Sequence, residues 1–270
     1  MRRWWLGGLL LGAAAALLAF APAAWLAAAV NSATEQRLLL ADARGTVWRG
    51  SAVLVLTGGR GSRDASALPG RLQWTLGTDG LALALRARQA CCINEELTLL
   101  LRPGLGRLRI ELPSLAAAAA ANLQPGPGRL LGQWPAAWLA GLGTPWNTLQ
   151  PSGTLALSSP GFAAEAVQGR WIFSGRVDLE LRSLASSLST LEVLGSYRLS
   201  LLGDARGDAT QVQLSTTDGA LQLAGSGLWA ASRLRFNGQA SAAPGSEAAL
   251  SNLLNIIGRR QGALSLISIG

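Results

Sequence analysis

From Leu38 onward, apolar residues return at every second position in short runs broken by glycine, proline, asparagine and aspartate. That period puts successive side chains on opposite faces of a strand, and it predicts antiparallel strands with one dry and one wet face. Leu72, Trp74 and Leu76 alternate with Arg71, Gln73 and Thr75; beyond Thr78-Asp79-Gly80, Leu81, Leu83 and Leu85 alternate with alanines. An Asp-Gly pair between two such runs predicts a hairpin. The same reading covers Leu97 to Leu101, and Leu108, Ile110 and Leu112 against Arg107, Arg109 and Glu111. In the second half it covers Leu155 and Leu157, Val177, Leu179 and Leu181 against Asp178, Glu180 and Arg182, and Tyr197, Leu199 and Leu201. Val212 and Leu214, the Asp218-Gly219 turn, Leu221 and Leu223, then Leu234 and Phe236 against Arg233, Arg235 and Asn237 complete a meander. The fold expected is mainly β: a large, twisted antiparallel sheet with a few short helices.

Three stretches break the alternation. Ser114 to Ala121 is read as an alanine-rich helix, preceded by Pro113 and ended by Asn122, and Trp134 to Leu142, among Pro125, Pro127 and Pro145, as a short helix or turn. The third is the clearest helix: Ser246 as cap, Glu247 at the positive end, and Leu250, Leu253, Leu254 and Ile257 as an i, i+3, i+4, i+7 stripe. Gly258 ends it, with Arg259 and Arg260 just beyond. A proline-rich junction from Pro125 to Pro151 divides the strands into two possible halves, about 38–124 and 151–270, within one continuous domain.

The N-terminus follows another rule. After Arg2 and Arg3, no charge occurs from Trp4 to Thr34. Trp4, Trp5 and Trp25 bracket Leu6 to Ala24, a run of roughly 28 Å as a helix, the thickness of a hydrocarbon core with aromatic belts. A cleaved signal peptide is the competing reading, but its apolar stretch is shorter. The expectation is residues 1–34 as a cytoplasmic N-terminus and uncleaved single-pass anchor, with residues 35–270 as an exported β-rich domain.

Composition narrows the chemistry. All 23 basic residues are arginine, against 15 acidic residues, for a net charge of +8. The arginines are scattered singly along the sequence, without the clustered bases and interleaved aromatics of a nucleic-acid surface, so no nucleic-acid partner is expected. Histidine and lysine are both missing, which removes the commonest general base and metal ligand and the usual nucleophile pairs. Glu95-Glu96, Asp178 with Glu180, and Asp204 with Asp208 remain, and such pairs on strands and turns read as solvated faces. No cofactor, metal or catalytic residue is expected. Cys91 and Cys92 are adjacent, so they cannot make a disulfide framework; they can close on each other, pair with another chain or stay as small side chains.

The string Gly45-Thr46-Val47-Trp48-Arg49-Gly50-Ser51-Ala52, soon after the apolar segment, resembles the N protein family of the bacterial type II secretion system. The resemblance recurs in Gly225-Ser226-Gly227-Leu228-Trp229 and in the run from Ala249 to Gly270. It implies a non-enzymatic inner-membrane component, with a periplasmic domain, that takes part in export of folded proteins across the outer membrane through contacts with other secretion subunits. The candidate contact or packing residues are Trp48, Trp229, Leu250, Leu253, Leu254, Ile257, Arg259 and Arg260. A small-molecule ligand is not expected, and inner-membrane lipid is the one other partner. The alternative from another class is an envelope protein whose curved sheet binds or passes acyl chains along its leucine face. The two differ in whether that face is plugged or open.

Overall fold

A computed structural model describes residues 12–13, 16–93, 95–113, 128–167, 170–203, 209–230 and 233–270. Among them, sixteen strands form one sheet in which every pairing is antiparallel. The first half supplies β1 (Leu38–Gly45), β2 (Arg49–Thr57), β3 (Ala65–Ala67), β4 (Leu72–Asp79), β5 (Ala82–Arg88), β6 (Leu97–Gly104) and β7 (Arg107–Leu112), and the proline-rich junction supplies β8 (Arg129–Pro135). The second supplies β9 (Ser152–Val167), β10 (Arg170–Ala185), β11 (Gly195–Gly203), β12 (Thr210–Asp218), β13 (Leu221–Ala230), β14 (Arg233–Ala242), β15 (Arg259–Gln261) and β16 (Leu264–Ile269). Besides the helical residues before Phe20, the described α-helices are α1 (Ala23–Ala33), α2 (Trp146–Leu149) and α3 (Glu247–Ile257), with a 3-10 helix at Ala136–Leu142.

Consecutive strands are neighbours nearly throughout, as a chain of short turns dictates. The order runs β1-β2-β4-β5-β6-β7-β9-β10-β11-β12-β13-β14-β16-β15, with β3 on β2 and β8 on β9. The long strand β9 joins the halves: residues 162–167 pair with β7 and residues 154–159 with β8, all along one edge, while β10 takes the other. Strands on both sides of the proline-rich junction therefore share one hydrogen-bonded sheet.

The register sorts the side chains. Leu76 stands beside Leu85, Leu85 beside Leu99, Leu101 beside Ile110, and Leu112 beside Phe162. The same face continues through Leu179, Leu199 and Leu214. The face is apolar across these strands because the period of two is kept between the bulges that interrupt some of them. The other face carries charge: Arg109 meets Glu111 at 2.5 Å and Glu165 at 3.6 Å, and Glu180 is held by Arg182 and Arg198.

Two clusters cover parts of the apolar face. Near the C-terminus, Leu250, Leu253 and Leu254 of α3 pack on Leu194, Tyr197, Leu221 and Ala240. Near the N-terminus, Ala23 of α1 packs on Ala52 and Trp74. Between them Leu83, Leu85, Leu99, Leu101, Ile110 and Leu112 are only half-buried.

Several expectations need correction. Trp134 lies in a strand opposite Leu155, and the helical turn starts only after Pro135, whose fixed φ suits the position before a helix. Leu81 is fully exposed, because the β4–β5 hairpin pairs Asp79 with Ala82 and leaves Leu81 in the turn. Ser246 makes no side-chain cap bond to α3. At the N-terminus, residues 16–19 are helical but the helix stops at Phe20, and α1 begins afresh at Ala23. Pro22 explains the break: it is extended, at φ −68° and ψ 146°, and it disfavours a helical residue before it. Trp25 therefore belongs to a second helix. Among the described residues no helix is long and apolar enough to cross a membrane. Residues 1–11 and 14–15 of the expected anchor, the alanine-rich Ser114–Ala121, and Asp204 with Asp208 lie outside the described residues.

Candidate functional site

The C-terminal stripe is buried. Leu250, Leu253 and Leu254 are 0%, 1% and 1% exposed, and Ile257 is packed partly buried beside them. The amphipathic spacing turns these side chains onto the sheet while Ser251, Asn252 and Asn255 face out. Gly258 follows in extended conformation, and Arg259 and Arg260 enter β15, where both are exposed.

The neighbouring strand runs against a reading by hydrophobicity alone. In β16, Ser265 is fully buried and donates its hydroxyl to the Leu254 carbonyl at 2.7 Å, while Ile267 packs on the core. Leu264 and Leu266 therefore project onto the wet face, 37% and 41% exposed, with Leu266 between Gln239 and Arg259 in the register. β15 ends the strand order, and all three of its residues are exposed. An unpaired backbone edge, two arginines and two misplaced leucines thus meet at one corner. At the opposite end of the order, α1 packs against β1.

The family-like glycines have steric causes. A Cβ on Gly50 would lie 2.4 Å from the Trp74 ring, and one on Gly225 would lie 2.4 Å from the Phe236 ring. Both glycines admit an aromatic flat against the strand. Trp48 sits at the tip of the β1–β2 hairpin and donates its Nε1–H to the Leu18 carbonyl at 2.8 Å, while Val47 N–H reaches the Ala21 carbonyl at 2.8 Å. Trp229 lies edge-on to Phe173, with ring centroids 6.4 Å apart, and stays 37% exposed. The structure thus brings Leu250, Leu253, Leu254 and Ile257 together with the strand bearing Arg259 and Arg260, and places Trp48 and Trp229 elsewhere.

Among the described residues, several carboxylates are held by arginines. Glu180 accepts from Arg182 at 2.6 Å and Arg198 at 2.7 Å; Arg182 foremost, then Arg198, holds its carboxyl below the usual range against the opposing pull of desolvation. Arg44, then Arg71, does the same for Asp42. Asp178 is buried, bonded by Ser200 Oγ at 2.5 Å and Arg176 at 2.8 Å. Burial pushes the Tyr197 phenol upward, and its hydroxyl donates to the Leu221 carbonyl at 3.0 Å. No group of three metal-binding side chains occurs among the described residues. Cys91 and Cys92 are bonded to each other in the Gln89–Ile93 turn, with Cys92 buried and its carbonyl accepting from Gln133 N–H at 2.7 Å.

Sequence reading missed the corner at β16, because Leu264 and Leu266 look like core residues in any alternating strand. The signal available was Ser265: a small hydroxyl can sit over a helix end where leucine cannot. It also missed a group of arginines drawn together by register. Arg49 of β2 and Arg86 of β5 flank Thr75 in one row, while Arg44 and Arg88 lie in the next row around Ser51 and Gln73.

Taken together, these features define a mainly β protein built on one antiparallel sheet, with a buried helical stripe at one end and exposed arginines and leucines at the β15–β16 corner. The chain belongs to the type II secretion system protein N family, whose model matches residues 36–266. That membership assigns it to the type II secretion pathway, among proteins that serve protein transport. No curated protein and no solved structure matches the chain.

Proposed function

We propose that this chain is a non-enzymatic inner-membrane component of the type II secretion pathway, held by residues 1–34, with residues 35–270 in the periplasm contacting other secretion subunits during export of folded proteins. The observation that carries the contact role is the β15–β16 corner. Unpaired strand edges accept a further strand, and the short, arginine-bearing edge discourages self-pairing while favouring an acidic partner. Leu264 and Leu266 supply apolar anchors beside it. The test is a photo-crosslinking residue at Leu266 in cells that secrete. It is expected to yield an adduct with another secretion subunit, whereas the same probe at exposed Gln211, on the same face three strands from the corner, gives none. Equal adducts at both positions, or none at Leu266, would remove the corner from the account.

The second reading, acyl-chain passage along the leucine face, draws support from the half-buried leucines between the two covered ends. Adducts with phospholipid from a probe at Leu99 would favour it over the first.

A further inference from the structure

On the wet face near the N-terminus lies a concavity of about 810 Å³ lined by Arg44, Arg49, Arg86, Arg88, Glu96 and Trp74, among others. Its charge is unbalanced. Glu96 is shared between Arg88 at 2.8 Å and Arg86 at 3.6 Å, and Asp42 is shared between Arg44 and Arg71. Arg49 has no carboxylate partner among the described residues. Four guanidiniums therefore line a space with one carboxylate.

Register explains their convergence. Arg49 pairs with Thr75 and Thr75 with Arg86, which puts the two arginines two strand spacings apart, roughly 10 Å between Cα atoms. Long side chains from those positions close on a group a few ångströms across. The bulge in β1 between Ala41 and Arg44, with Asp42 at positive φ, sets Arg44 opposite Ser51 on the same face.

Position completes the case. The hairpin tip that follows Gly45 is docked on residues 18–22: Thr46 bridges Pro22, Val47 bonds Ala21 and Trp48 bonds Leu18. The concavity includes Gly45 and Gly50, the residue pair nearest that tip. It therefore opens beside Phe20–Pro22, where the uncharged apolar segment breaks, and Trp48 has the amphipathic ring that favours a membrane–water boundary.

We propose that this concavity binds the phosphate of an anionic phospholipid headgroup at the membrane surface. Guanidiniums pair with phosphate oxygens through two parallel N–H donors, and clustered arginines at a membrane boundary select acidic over zwitterionic lipid. The location rests on the anchor in the proposed function; the chemistry does not. The test therefore uses the full chain in neutral detergent with dihexanoyl phosphatidylglycerol, dihexanoyl phosphatidylcholine and inorganic phosphate, each titrated by calorimetry. The phosphatidylglycerol is expected to bind at least about tenfold tighter than either other probe, with affinity falling as salt rises. Arg49→Gln with Arg86→Gln should remove that preference at an unchanged melting temperature, and Arg233→Gln with Arg235→Gln, at the far end of the sheet, should keep it.

Equal affinity for the two lipids, or a preference that survives Arg49→Gln with Arg86→Gln, overturns the site. Inorganic phosphate binding as tightly as the lipid makes it a free-anion site, and an acidic peptide competing while the lipid does not makes it a protein contact; both reject the lipid. Failure of the anchor alone would show separately, as a chain extracted from membranes by carbonate that still prefers the anionic lipid in detergent.

Discussion

The two ends of the sheet present the same alternating sequence and solve burial in different ways. At the C-terminal end a whole helix lies on the apolar face, and Leu250, Leu253 and Leu254 vanish from solvent against Tyr197 and Leu221. At the N-terminal end the cover is Ala23 against Ala52 and Trp74, and the leucines of β5 and β6 remain half-buried. In β5 the most deeply buried side chains include Ala82 and Ala84, on the face opposite the leucines. The lesson is that alternation assigns a residue to a face, whereas the covering element decides whether that face is core. The C-terminal end can therefore be broken by one buried substitution, and the N-terminal end has surface left to use.

The largest effect is expected from Leu253→Asp. It removes a buried leucine and leaves a carboxylate without a partner, a loss of about 4 kcal/mol or more against a net stability of about 5–15 kcal/mol. The variant should fail to accumulate in cells and lose its cooperative melt. Normal accumulation with a cooperative melt would mean that the stripe is not the core of that end.

A smaller effect is expected at the opposite end from Trp74→Ala. Trp74 is 5% exposed and its Nε1–H donates to the Val47 carbonyl at 3.0 Å, so truncation opens a cavity and leaves that acceptor unpaired. The cost should be about 3 kcal/mol, at the low end of the range for buried aromatics, because its partners Ala23 and Ala52 are small. Denaturant melts that show Trp74→Ala costing more than Leu253→Asp would reverse the comparison of the two ends.

Much of this was legible beforehand. Hairpins such as β4–β5 and β12–β13 follow from Asp-Gly turns and period two, and α3 follows from its stripe, since both depend on neighbours within a few residues. What escaped depends on contacts far apart in the chain. Trp134 looks helical until Leu155 pairs with it, and Arg49 and Arg86 look scattered until Thr75 brings them into one row. The helix break at Phe20–Pro22 was signalled by a proline inside an apolar run, a signal outweighed by the run's hydropathy. Leu264 and Leu266 were hidden most deeply, because β16 is apolar enough to be read in either register and only Ser265 under α3 decides it.

The contact role turns on that corner, and one substitution tests it most directly. Leu266→Asp changes an exposed side chain next to Arg259, so the protein should accumulate normally and melt within about 0.5 kcal/mol of the parent. Secretion of folded substrate by cells carrying it as the sole copy should fall about tenfold, as loss of ~1.4 kcal/mol at a contact would give. Secretion at the parental rate, from a folded Leu266→Asp protein at parental level, would contradict the claim that this corner is where the chain meets its machinery.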